Sequence, residues 1–300
     1  MRVRSQRGMG PRVEAMATRA GWDGFCGGKL KDGMVTIDID PVILEIGPLA
    51  VRWYGLMYAV GILVGLYVSL PYALQKGLKE EDIWKVFWPA AVAAFLGGRL
   101  YFVLQQDLGP YLAQPWRILA TWEGGMAFYG AIFGGLAAIV VACRIYKVPI
   151  WPLLDAAALF ATVGQAFGRI GNLINGDIVG YPTTNLWGVV YPRSPFVASP
   201  TTAYEPAAVY ELLFNLVLFF ILWNVRFRLR PDGLVFALYL ILYAVGQFGL
   251  FFGRDNVVVW MGLKQAQVTS LVVLPLALGV FYWRWRQRTW VDVGAGRREG

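Results

Sequence analysis

Long apolar runs, separated by short stretches in which Lys, Arg and Pro gather, dominate the chain. Runs close to the roughly 20 residues that cross about 30 Å of hydrocarbon occupy 51–74, 86–105, 126–143, 152–168, 207–224, 234–252 and 267–283. Each is expected to be a membrane-spanning helix, because lipid offers backbone N–H and C=O groups no partner outside the helix itself. The fourth run is short for a span, and the sixth is interrupted by Gly246, Gly249 and Gly253. Small residues four apart recur at Gly61/Gly65, Gly130/Gly134 and Gly164/Gly168, a spacing that lets helices approach closely. The pattern predicts an all-α integral membrane protein with seven transmembrane helices.

Composition agrees: of 300 residues 57% are hydrophobic and 15% charged, against roughly a quarter charged in soluble domains. The net charge of +8 points to no nucleic-acid partner, because in a membrane protein basic residues mark cytoplasmic loops. The segments after spans one, three, five and seven hold 13 Lys and Arg, and those after spans two, four and six, expected to be outer loops near the surface, hold 5, Lys264 among them. This asymmetry predicts an N-terminus outside and a C-terminus in the cytoplasm. Residues 1–33 break it with seven basic residues and lack the apolar stretch of a signal peptide. They are expected to be a leader outside the folded unit, either upstream of a true start at Met34 or a disordered extension. The folded domain then runs over 34–285 with an outer loop at 169–206, and 286–300 is a basic cytoplasmic tail.

There is no histidine, and the cysteines are Cys26 and Cys143. That excludes a Cys/His zinc site, a Ser-His-Asp triad and an imidazole base. Cys26 lies in the leader and Cys143 at the inner end of span three, so no disulfide between them is expected.

Ionisable groups inside spans are costly and by default functional or paired. Tyr54, Arg99, Tyr129, Arg169, Tyr210, Glu211, Gln247, Arg254 and Gln267 all fall toward the outer ends of their spans, which predicts a polar cavity in the outer half of the bilayer. Arg99, Arg169 and Arg254 suit an anionic lipid headgroup; the alternative is that they snorkel or pair with Asp107, Asp177, Glu211 or Asp255. The densest constellation is GRIGNLINGDIVG at 168–180. Its glycines predict tight turns that offer backbone N–H groups to an anion, with Asn172 and Asn175 as amide donors, or else an Asx-turn at Asp177 that caps a re-entrant loop. A transporter would need polar groups along a path to the inner face, and apart from Asp155 the spans lack them.

The motifs DPVILEIGPLAVRWYGLMY (40–58), FLGGRLYFVL (95–104), WEGGMAFYGAIFGG (122–135), GRIGNLINGDIVG (168–180), PAAVYELL (206–213), YLILYAVGQFGLFFGR (239–254) and QVTSLVVLP (267–275) resemble, in order, the bacterial prolipoprotein diacylglyceryl transferases. The fourth is similar to the family signature. The resemblance implies a multi-pass enzyme of the bacterial inner membrane, active toward the outer leaflet. Such enzymes move the diacylglyceryl group of phosphatidylglycerol onto the lipobox cysteine of a prolipoprotein signal peptide, release glycerol phosphate, and use no cofactor or metal. It implies phosphatidylglycerol contacts for Arg99, Arg169, Arg254, Tyr54, Asn172, Asn175 and Gly180; Gln247, at the same depth, is a further candidate for them. It also shows departures: Tyr129 stands where the family usually has His, Asp177 where it has Glu, EPAAVYE replaces HPxQLYE, and Gln247 and Phe251 replace an Arg and a Glu.

A free thiol ionises near pH 8.5 and attacks poorly at neutral pH unless its proton is taken or nearby positive charge lowers its pKa. Without histidine the base falls to Asp177, Glu211 or Tyr129, with Arg169 stabilising the leaving phosphate. The alternative is a degenerate relative that binds phosphatidylglycerol or a signal peptide without turnover.

Overall fold

A computed structural model describes residues 34–46, 49–121 and 125–295. The leader at 1–33 with Cys26, the first residues of the WEGGMAF motif at 122–124 and the last residues of the tail lie outside it. Seven helices are long and apolar enough to cross a membrane: α1 (Trp53–Gln75), α2 (Glu80–Leu104), α3 (Phe128–Tyr146), α4 (Ile150–Asn175), α5 (Ala207–Val225), α6 (Leu234–Leu250) and α7 (Gln265–Ala295). All seven predicted spans are present. Two helices overrun their predicted ends: α7 continues past 283 through Ala295, into the stretch expected to be a tail, and α4 continues through 168–175, where the sequence predicts turns. The glycines there do not break the helix because they are the contact surface for a neighbour: a Cβ on Gly171 would stand 3.0 Å from Tyr54 Cα of α1. The helix stops instead at Gly176, whose φ of +65° is the left-handed cap that glycine adopts without penalty.

The bundle is assembled from close pairs, α2 with α3, α1 with α4, and α6 with α7, with α4 also packing on α5. The predicted small residues make these pairs. A Cβ on Gly130 would lie 2.2 Å from Gly97 O and one on Gly134 2.3 Å from Ala93 O, while Gly61 faces Gly164 at 3.3 Å. At the end where α1 finishes, Tyr72, Val86, Leu159, Leu222 and Val235 form the main apolar core. There Asp155, fully buried, accepts hydrogen bonds from Gly233 N at 2.7 Å and Phe236 N at 2.8 Å, capping α6 with a carboxylate as its exposed N–H groups require. Lys76 bridges to Asp232 nearby at 2.6 Å.

At the opposite end, short strands β1 (Val35–Thr36), β2 (Val42–Ile46), β3 (Leu49–Arg52), β4 (Val189–Val190), β5 (Ala203–Tyr204), β6 (Val258–Trp260) and β7 (Leu263–Lys264) form a small cap. Its three-stranded sheet has the order β1-β4-β5. Val179, Val189, Tyr191 and Tyr204 pack beneath it with Leu173 of α4.

Candidate active site

Consecutive spans run in opposite directions, so the start of α1, the end of α4, the start of α5 and the end of α6 meet at the capped end of the bundle. Arg169 near the end of α4 and Arg254 just beyond α6 converge there on Glu211 of α5. Arg169 Nη2 is 2.7 Å from Glu211 Oε2, and Arg254 Nη1 donates to Oε1 at 2.8 Å. Glu211 is fully buried and Arg254 nearly so, whereas Arg169 keeps 19% of its side chain exposed. A carboxylate at this depth requires pairing. Two guanidiniums on one carboxylate leave one positive charge in excess. Arg169 Nε, Arg254 Nε and Gln247 Nε2 are buried donors that no acceptor among the described residues meets.

The chain extends from Arg169 along one face of α4. Arg169 Nη1 donates to Asn172 Oδ1 at 3.0 Å, and Asn172 Nδ2 donates to Asp177, 3.1 Å from each carboxylate oxygen. The left-handed turn at Gly176 folds the chain back far enough for Asp177 to reach Asn172. Asp177 keeps an exposed edge, yet the protein crowded around its carboxyl pushes its pKa up from the ordinary 3.8, against the opposing effects of Asn172, Arg169 and Arg254.

Gly180 closes the arrangement. Its N–H donates to Glu205 O at 2.8 Å, and it forms a β-bridge with Arg254. A Cβ here would meet Gly253 O at 2.6 Å and Glu205 Cβ at 2.7 Å, so glycine is what allows the segments after α4, before α5 and after α6 to touch.

A family model for prolipoprotein diacylglyceryl transferase matches residues 41–283. The chain belongs to the prolipoprotein diacylglyceryl transferase family. Three similar proteins bear the name phosphatidylglycerol–prolipoprotein diacylglyceryl transferase. That of Geobacter sulfurreducens is 37% identical over 220 residues, 72% of this chain and 83% of the relative. That of Rhizobium meliloti is 35% identical over 258 residues, 80% and 89%. That of Trichormus variabilis is 35% identical over 268 residues, 84% and 93%. Seven spans in a family of bacterial transferases make this a multi-pass protein of the bacterial inner membrane.

Other residues expected at the site of this family member stand around the charged centre in different ways. Tyr54 packs against Gly171 and donates from its hydroxyl to Tyr58 at 3.0 Å. Asn175 is buried with its Oδ1 unmatched, and Gln247 is buried at the end of α6. Tyr129 holds its hydroxyl 2.8 Å from Thr269 Oγ1 and so joins α3 to α7. Arg99 is 3% exposed and spans a separate loop: Nε donates to Ile118 O at 2.8 Å, Nη1 to Gly125 O at 2.9 Å, and Nη2 to Arg117 O at 2.7 Å and Ala120 O at 3.0 Å. These bonds fix the connection from α2 to α3 and turn the guanidinium toward backbone carbonyls. Of the pairings considered for the arginines, Glu211 takes both Arg169 and Arg254.

Two residues of this transferase-family site escape sequence reasoning. Lys264, placed by the sequence in a surface loop, is 5% exposed. Its Nζ donates to Phe251 O at 2.7 Å, to Tyr181 OH at 3.1 Å and to Arg254 O, so it holds the backbone that carries Arg254. Glu205 accepts from Thr183 Oγ1 at 2.7 Å, Asn185 Nδ2 at 2.6 Å, Trp187 Nε1 at 3.1 Å and Tyr210 OH at 2.6 Å. Burial works against its ionisation, but the hydrogen bonds outweigh it and hold the pKa below the usual carboxylate value. Its only signal is the Glu-Pro pair ahead of α5.

Proposed function

We propose that this protein transfers the diacylglyceryl group of phosphatidylglycerol to the lipobox cysteine thiol of a prolipoprotein. The thiol sulfur attacks the glyceryl carbon, a C–S bond forms as the C–O bond to phosphate breaks, the thiol proton leaves, and glycerol phosphate departs as an anion. The observation that carries this reading is the Arg169–Glu211–Arg254 triplet at the capped end of the bundle, whose own three groups sum to one positive charge. Such a charge suits a phosphodiester substrate and gains strength as negative charge grows on the leaving phosphate. Glu211, held by two cations, serves to orient them. Asp177 has the better claim to the thiol proton: it lies outside the spans, keeps an exposed edge, and its raised pKa moves it toward the useful range of a base. Tyr54, Asn172, Asn175, Gly180 and Gln247 form the walls, and Arg99 shapes the neighbouring loop. The distribution of basic residues supports placing this end of the bundle at the outer leaflet. The relatives' shared name supports turnover, and nothing favours binding alone.

Membranes that contain the protein, given phosphatidylglycerol and a lipobox peptide, are expected to yield a thioether-linked diacylglyceryl peptide detectable by mass spectrometry. Arg169→Ala is expected to lower its rate about 100-fold or more. Wild-type yield no higher than that of Arg169→Ala overturns the proposal.

A further inference from the structure

Beside the charged centre lies an apolar groove of about 550 Å³, lined by Val35 of β1, Ile37 just after it, Leu173 of α4, Trp187, and Val209 and Tyr210 of α5. Its size falls in the range of ligand-binding clefts. We infer that this groove receives the apolar segment of the prolipoprotein next to the lipobox cysteine, in extended form against the free edge of β1. The inference rests on the transfer reaction proposed above and names where its second substrate docks.

Three observations select this occupant. First, none of the residues lining the groove is ionisable near neutral pH, and the two polar groups there, the Trp187 indole and the Tyr210 hydroxyl, both donate to Glu205. The groove therefore offers a phosphate headgroup no charge and matches a neutral apolar chain. Second, among the described residues β1 is an edge strand. The N–H groups of Val35 and Ile37 donate to Gly188 O and Val190 O at 3.3 and 2.9 Å, which in a parallel ladder directs the N–H and C=O of Thr36 to the opposite, open edge. A peptide can use that edge by strand addition; an acyl chain has no backbone to pair with it. Ile37 follows β1 and continues its ladder with the bond to Val190 O, so alternation puts Val35 and Ile37 on the same side, where they line the groove. Third, residues of the groove are chain neighbours of residues of the site, Tyr210 of Glu211 as well as Leu173 of Asn172. Leu173 in its wall adjoins Asn172, the residue that joins Arg169 to Asp177, so a peptide seated here brings its neighbouring cysteine toward the charged centre.

Two measurements on the full chain test this. A benzophenone amino acid in place of Trp187, which is 58% exposed, is expected to crosslink a lipobox peptide on irradiation. A crosslink only to phospholipid, or only to residues 1–33 of the same chain, overturns the inference. Val209→Trp, which fills the groove, is expected to raise KM for the peptide about tenfold and leave KM for phosphatidylglycerol unchanged; an unchanged peptide KM overturns it. If the wild-type chain transfers nothing, the proposed function fails instead, and the crosslink alone decides the groove.

Discussion

Glu211 is the residue on which the site's electrostatics turn. Buried between Arg169 and Arg254, it neutralises one of two positive charges that the apolar surroundings tolerate poorly. Removing one partner from a buried ion pair costs about 3–5 kcal/mol, because the other charges stay behind uncompensated. Glu211→Ala is therefore expected to lower thermal stability in detergent and abolish transfer, while Glu211→Gln, which keeps the shape, retains the fold and loses most activity; a thermal-shift measurement beside the mass-spectrometric assay separates the two. With Asp177 as the proposed base, its titration is expected to set the pH dependence. As its pKa is raised by burial, the carboxylate form needed for a base is lost at higher pH than for an ordinary aspartate. The rate is expected to fall as pH drops through that raised value, and Asp177→Asn is expected to flatten this acidic limb in a pH–rate profile.

At the level of the helix, close approach is the organising fact. Gly130 sits where any side chain would collide with Gly97 O and Tyr101 Cβ at 2.2 and 2.3 Å. Gly130→Leu is expected to part α2 from α3, and because that pair carries Arg99 and the loop it holds, activity and the yield of folded protein should fall together in a size-exclusion and transfer assay. The spans themselves were legible in the sequence, since hydrophobic length and backbone satisfaction leave a membrane chain few choices. So were the glycine pairs. The end of α4 was not: glycines at 168 and 171 resemble turn residues, and only the presence of α1 against them explains why the helix runs on to Asn175. The arginines show the same limit. Arg99, Arg169 and Arg254 look alike as cations at one depth, but which groups each guanidinium meets, carbonyls of the loop from α2 to α3 for Arg99 and Glu211 for the other two, depends on how the loops fold over them. Lys264 was misplaced for a related reason, because its burial follows from the bend after α6 that presents the carbonyls of Phe251 and Arg254 to its ammonium group.

The whole molecule divides by polarity. One end is closed by apolar packing and by Asp155 and Asp232 acting on α6 and Lys76; the other gathers the charged centre, the strand cap and the groove. The contact at Gly180 ties three stretches of backbone together across this second end without a covalent link between them. Its consequence is that chain continuity through 194–201 is expected to be dispensable. α1 to α4 would travel as one polypeptide and α5 to α7 as another, each anchored in the bilayer by its own helices. The strand pairing of Val189–Val190 with Ala203–Tyr204, the Gly180–Glu205 bond and the Arg169–Glu211 pair would then act as the clasp between them. Co-expression of two genes split at Ser199 is expected to return a complex that copurifies through a tag on one half and transfers lipid, whereas adding Gly180→Leu to the first half should leave two inert fragments.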